Sequence, residues 1–260
     1  MSAAAPPAAG AGTAWPPFFD PVAFPFTEAL ERNHEAIRRE LLGVMGRRLW
    51  SRYVDHDERR GRALLFLLYV RGKPNRRNCR LCPITAAVLA EIPNISQAVF
   101  GYLPAGAHIA PHRGAPGILR VHLGVVAEPG AAGWRADGLA RDCAEGKVTI
   151  FHDGALHEAW NRGGAGRVTL ICDPPAPAAD PTLLRHAIEG YERRYGLPYL
   201  LRTFGRSRGP RHPYNRFVLP ALLKTERWAR RLEPWLLDAA LFFYNRWSAR
   251  FRAGEPPRHA

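Results

Sequence analysis

Three histidines stand where an imidazole could hold a metal: His112 in HIAPHRG, His122 in LRVHLG and His157 in FHDGALHEAW. Neutral imidazoles fixed on neighbouring strands are common ligands for iron, copper or zinc, because strands hold ring geometry well. His112 and His157 are 45 residues apart, each beside a turn signal, so each is expected at a strand end. Ten residues after His157 comes Arg167, at the head of the apolar run RVTLIC. A buried arginine there needs an anion. Its planar fork matches a carboxylate, supplied either by a ligand or by an internal Asp or Glu. A metal-binding histidine followed by a carboxylate-binding arginine is what a site for iron and a dicarboxylate cosubstrate requires.

The elements that must position these residues are short. Between Ile95 and Asp173 the runs SQAVFGYL, ILRVHLGVV, KVTIF and RVTLIC alternate with turn signals at Ala105-Gly106, Pro129-Gly130 and Gly163-Gly164. This spacing predicts a β-sandwich or small barrel. Upstream, Thr27 is expected to cap a helix running to about Leu42, with Phe26, Leu30, Ile37 and Leu41 on one face. The run RALLFLLYV suits a buried strand, although periodicity alone does not separate it from a helix, and Pro83 opens a short helix that ends before Pro93.

Composition sets the limits. A chain of 260 residues, 47% hydrophobic, has ample material for a packed core in one or two domains. Cys79, Cys82, Cys143 and Cys172 are too unevenly spaced for a disulfide framework, which points to a reducing, cytoplasmic setting. Cys79 and Cys82 form half a zinc knuckle with no second close pair. The formal net charge is +14, and the last eighty residues hold 16 Lys and Arg against 6 Asp and Glu, so most of the excess belongs to the tail. Residues 1–15 carry no charge and read as a disordered leader. Residues 181–260 read as a basic, partly amphipathic helical tail. Within it Pro220–Arg252 places Leu, Trp and Phe on one face and Arg on the other, which suits either an anionic membrane interface or packing against the domain. Asp238 and Arg246 interrupt the best apolar stretch, so no spanning helix is expected. The tail carries no recognised nucleic-acid motif, and nucleic acid is not an expected partner.

The motifs GYLPAGAHIAPHRG, LRVHLGV, EGKVTIFHDGALHEAWN and RVTLICD, in this order and at these separations, resemble the aspartyl/asparaginyl β-hydroxylase family of Fe(II)/2-oxoglutarate-dependent dioxygenases. That family includes bacterial lipid A hydroxylases and ornithine-lipid hydroxylases. The resemblance extends upstream through PFFDPVAFPFTEALERNHEAIRREL and LCPITAAVLAEIP, covering about Trp15 to Asp180. It implies a mainly β domain with flanking helices over residues 16–180, a double-stranded β-helix (jelly roll, cupin-like). It also implies Fe(II), 2-oxoglutarate as cosubstrate, and dioxygen. By resemblance His112 and His157 match the iron ligands, and Arg167 matches the partner of the distal 2-oxoglutarate carboxylate. Arg120 and His122 match a segment lining the same pocket. Asp153 matches a family carboxylate that acts near the metal without being the third ligand. The implied reaction inserts hydroxyl into an unactivated C–H bond, with 2-oxoglutarate giving succinate and carbon dioxide.

Two substrates stay open. The family name implies a peptidyl Asp or Asn; the basic tail and the lipid-hydroxylating members favour an acyl chain at the inner face of a membrane. A barrel without turnover that binds a membrane or partner through its tail is the alternative of another class. The chain also departs from the family's pattern. The first motif, His112-Arg113-Gly114, has no carboxylate, as is common in this family; Gly101 stands where a serine often helps hold 2-oxoglutarate; His152 replaces the first residue of an Asp-Asp pair; and the loop from His112 to His122 is one residue shorter.

Overall fold

A computed structural model describes residues 15–47, 49–52, 63–70 and 72–176. Residues 1–14 of the expected leader and all of the expected basic tail lie outside these described residues.

The chain enters through a 3-10 turn, Pro21–Ala23, capped by Asp20, whose Oδ1 accepts from the N–H of Val22. The single helix expected from Thr27 is instead two, α1 (Phe26–Arg32) and α2 (His34–Met45). They part at Asn33, whose Nδ2 donates to the Ala29 carbonyl at 2.8 Å and so competes with the helical ladder. Thr27 is no cap either: it sits inside α1, with Oγ1 donating to the Phe24 and Pro21 carbonyls. The apolar face holds, since Leu30, Ile37 and Leu41 are all buried. After the short strand β1 (Ser51–Arg52), the run that periodicity left between strand and helix is β2 (Leu64–Val70). Then come β3 (Lys73–Pro74), α3 (Arg76–Leu81) and α4 (Pro83–Ala90), which starts at its proline as expected. Glu40 of α2 caps α4 by accepting from the N–H groups of Ile84 and Thr85.

Eight strands follow: β4 (Gln97–Leu103), β5 (His108–His112), β6 (Leu119–Val126), β7 (Ala132–Ala136), β8 (Leu139–Asp142), β9 (Val148–His152), β10 (His157–Asn161) and β11 (Arg167–Asp173). They form two antiparallel sheets. One carries the order β1-β2-β4-β11-β6-β9, with β3 paired to β2; the other carries β5-β10-β7-β8. Apart from the β7–β8 hairpin, consecutive strands from β4 to β11 switch sheets, and this is the winding of a double-stranded β-helix. The large sheet has two faces because side chains alternate along a strand. In β11, Val168, Leu170 and Cys172 join the cluster that includes α1, α2 and α4. Arg167, Thr169 and Asp173, at the alternate positions, turn the other way, toward the space between the sheets. There a smaller cluster of Phe18, Trp134, Cys143 and Phe151 with several alanines closes the interior.

Candidate active site

His112 ends β5 and His157 begins β10, and the two are direct cross-strand partners. Their rings lie 4.2 Å apart between centroids. Each is oriented alike: Nδ1 of His112 is 2.9 Å from the Ala110 carbonyl and Nδ1 of His157 is 2.9 Å from the Ala155 carbonyl. A carbonyl can only accept, so each Nδ1 carries the proton and each Nε2 the lone pair, the tautomer that a metal requires. Burial, then the charge of Arg120, depresses the His157 pKa to about 4 against the pull of Asp153, so the ring is neutral near pH 7.

Asp153 lies in the turn before His157, buried, with Oδ1 3.8 Å from His157 Nε2. Arg120 pairs with it at 2.9 Å, and the N–H of Ala115 donates to its Oδ2 at 2.6 Å. The same carboxylate explains Gly114. A Cβ at position 114 would run into the Asp153 carboxyl group, so the volume a His-x-Asp motif would use is already filled from the opposite strand end.

Arg120 has a second buried partner that the sequence reading did not single out. Its Nε is 2.9 Å from Oδ1 of Asp173, making an Asp153–Arg120–Asp173 array. Burial, opposed by Arg120, pushes the Asp173 carboxyl up to about 7. The signal was present: Asp173 ends an apolar run two residues beyond another inward position, so alternation puts it on the face of Arg167.

His122 is fully enclosed. It stacks on Phe151 (5.6 Å, 18° between planes), lies 4.8 Å from Trp134, and has Nδ1 3.3 Å from Thr169 Oγ1. Burial, then the charges of Arg167 and Arg120, hold its pKa well below the usual 6.5, so it too is neutral. Arg167 sits over the Trp134 ring at 5.1 Å, 3% exposed. Among the described residues its hydrogen bonds are long, to the carbonyls of Gly133 (3.4 Å) and Trp160 (3.5 Å), and its Nε has no partner there. Among the described residues no Asp or Glu forms an ion pair with it. At Gly101 the space above the backbone belongs to Ile171, whose Cδ1 would lie 2.7 Å from a Cβ there.

The fold thus brings all six sequence-selected residues to one interior, linked ring by ring from Arg167 through Trp134, His122 and Phe151 to His157 and His112. Among the described residues no group of three or more His, Cys, Asp or Glu side chains converges to hold a metal, so the chain offers a histidine pair with Asp153 beside it. Among the described residues Cys79 and Cys82 join no metal-holding group. Burial pushes their thiols to about 11 and about 12, the range of inert core cysteines.

The model of the aspartyl/asparaginyl beta-hydroxylase family matches residues 31–177. The ornithine lipid ester-linked acyl 2-hydroxylase of Rhizobium tropici is 35% identical over 176 residues, 64% of this chain and 63% of that protein. The aspartyl/asparaginyl beta-hydroxylase of Homo sapiens is 30% identical over 177 residues, 64% of this chain and 23% of that protein. The match therefore spans less than two thirds of either relative. Among solved structures, an oxidoreductase of the 2OG-Fe(II) oxygenase family from Burkholderia pseudomallei aligns with 55% of this chain and 79% of its own, at TM-score 0.43 and 14% identity.

Proposed function

Because the chain belongs to the aspartyl/asparaginyl β-hydroxylase family, we propose that it is an Fe(II)/2-oxoglutarate-dependent hydroxylase acting on a lipid acyl chain at a membrane surface. The observation that carries the cosubstrate is Arg167, a buried guanidinium without an anion among the described residues. Burying an unpaired charge costs several kcal/mol in real proteins, on the order of what a bound carboxylate would recover. The residues fit the group: two imidazoles with committed Nδ1 protons face one another, and an arginine waits along the same aromatic wall.

His112 and His157 would hold the metal through Nε2, and Arg167 would take the distal carboxylate of 2-oxoglutarate in its fork. Bound Fe(II), 2-oxoglutarate and dioxygen supply the oxidising power that replaces C–H by C–OH. The chain's own work is placement. Arg120, held between Asp153 and Asp173, keeps the Asp153 carboxylate beside His157 without leaving its charge unbalanced. Neutral His122 adds no positive charge beside Arg167. Trp134 and Phe151 wall off water from the interior.

Two observations support an acyl chain over a peptide. The register His112–His157–Ala136–Leu139 runs straight across four strands, so Leu139, 51% exposed on the edge strand, shares a sheet face with the histidines. Leu156, 44% exposed, precedes His157 and is tied by its backbone to Asp137 of the β7–β8 turn. The basic tail read from the sequence would supply the attraction to anionic lipid. Among the described residues no helix is long and apolar enough to cross a membrane.

The test is an anaerobic titration of the full chain with Fe(II) and 2-oxoglutarate, following the visible charge-transfer band of the chelate. A band in the wild type that is absent in His157→Ala and weakened in Arg167→Ala supports the reading. A wild type that binds neither ligand overturns it and favours a barrel without turnover. Succinate release with ornithine-lipid or lipid A vesicles, compared with Asp- and Asn-containing peptides, then decides the substrate.

A further inference from the structure

The loop Arg113–Gly117 leads from His112 into β6 and is tied at both ends to the segment His152–Gly154. At its near end the N–H of Gly114 donates to the Asp153 carbonyl at 2.8 Å, and that of Ala115 to Asp153 Oδ2 at 2.6 Å. Arg113 adds a bond from Nη1 to the Gly154 carbonyl at 2.9 Å. At the far end the N–H of Gly117, a residue at φ 78°, donates to Nε2 of His152 at 3.0 Å. The His152 ring lies flat against Trp15, 5.4 Å away and 5° between planes. It also covers Gly154, where a Cβ would meet ring atoms at 2.7 and 3.2 Å.

We propose that His152 is a positioning residue for the metal site: its neutral imidazole, backed by Trp15, latches the far end of the loop that follows His112 and releases it on protonation. An amide N–H only donates, so Nε2 must present its lone pair to Gly117 and the proton must sit on Nδ1. A second proton would set N–H against N–H and break the bond. Asp153 and Asp137 face the ring and favour that proton, while burial opposes it and dominates, so the ring's pKa lies below the usual 6.5. The latch is therefore at full strength above about 6.5, where the freed ring is also neutral, and weakens as pH falls below it. Asp153 at the near end belongs to the candidate site itself; His152 reaches the loop through its bond with Gly117. The loop's effect on metal binding rests on the proposed role of His112, but the latch itself does not.

The experiment is amide hydrogen exchange at Gly117, by nitrogen-15 NMR of the full chain between about pH 5 and 7.5, in wild type, His152→Gln and His152→Phe. Glutamine keeps an acceptor oxygen that does not titrate; phenylalanine keeps the stack on Trp15 and loses the acceptor. In the wild type the protection factor is expected to fall by up to about tenfold per pH unit below about 6.5. In His152→Gln it stays flat, and in His152→Phe it is lost at every pH. Equal protection in His152→Phe and wild type, or wild-type protection that ignores pH, overturns the latch. Should His152→Phe fail to fold, the pH dependence of wild type against His152→Gln decides alone. A Co(II) titration of the same proteins separates the two readings. Binding weakened about tenfold in His152→Phe extends the latch to the metal, whereas no Co(II) binding even in the wild type overturns the metal site and leaves the exchange result standing.

Discussion

On the helix side of the large sheet, Phe66, Phe100, Val121, Leu123, Ile150 and Leu170 are each fully buried in one cluster with α1, α2 and α4. On the jelly-roll side the same strands present Arg120, His122, Thr149, Arg167 and Asp173, equally hidden from water or nearly so but polar. One set of backbones thus serves two environments. The first face gains free energy from every apolar group it hides. The second carries an arginine unmatched among the described residues and a guanidinium shared by two carboxylates, arrangements that cost stability. Apolar packing and the candidate site lie on opposite faces of a single sheet.

Substitutions can break or sharpen that division. The largest effect is expected from His157→Ala, which should abolish the Fe(II)/2-oxoglutarate band while moving the urea midpoint little; a large loss of stability would make the histidine structural. Next, Phe100→Ala on the opposite face should lower the unfolding free energy by about 3–5 kcal/mol, read by urea denaturation, with metal affinity retained in the folded fraction. Arg167→Leu should do the reverse. It relieves an unpaired buried charge, so the ligand-free protein should gain on the order of 1 kcal/mol or more in the same assay while 2-oxoglutarate binding is lost. Destabilisation matching that of Phe100→Ala would erase the distinction between the faces.

The smallest effect concerns pH. Burial lifts the Asp173 carboxyl to about 7, so the folded protein holds this proton more tightly than the unfolded chain. Its contribution to stability is present at acid pH and is lost as pH rises from the usual carboxylate range through about 7. His157, depressed to about 4, acts in the opposite sense, adding stability as pH rises from about 4 toward 6.5. The difference between wild type and Asp173→Asn isolates the first. It should shrink steadily from about pH 4 to 7 and level off above, and a flat difference would show that Arg120 keeps Asp173 ionised throughout.

Much of the site was legible in the chain because each motif is local. HIAPHRG and FHDGALHEAW place a histidine beside a turn, and that position made both strand ends predictable. The strands carrying long apolar runs were also plain. Among β4 to β11 those hidden from periodicity were β5, β7, β8 and β10, which are short and rich in small or charged residues, so no apolar alternation announces them. The break at Asn33 was missed because the apolar spacing runs through it undisturbed; only the side chain's bond to the Ala29 carbonyl reveals the kink. Trp15, assigned by composition to a charge-free leader, proves to be the ring against which His152 stacks.

By itself the sequence determined which atoms were available: two imidazoles at strand ends, an arginine in an apolar strand, and a family pattern linking them. Residue type and local spacing suffice for that, since alternation and turn chemistry are short-range. Only the tertiary structure decided which groups meet. Asp153 fills the volume beside Gly114, Arg120 joins Asp153 to Asp173, and Arg167 meets no carboxylate among the described residues. Each depends on strands distant in sequence being brought into register across and between two sheets, and a pattern read along one strand holds no record of its neighbours.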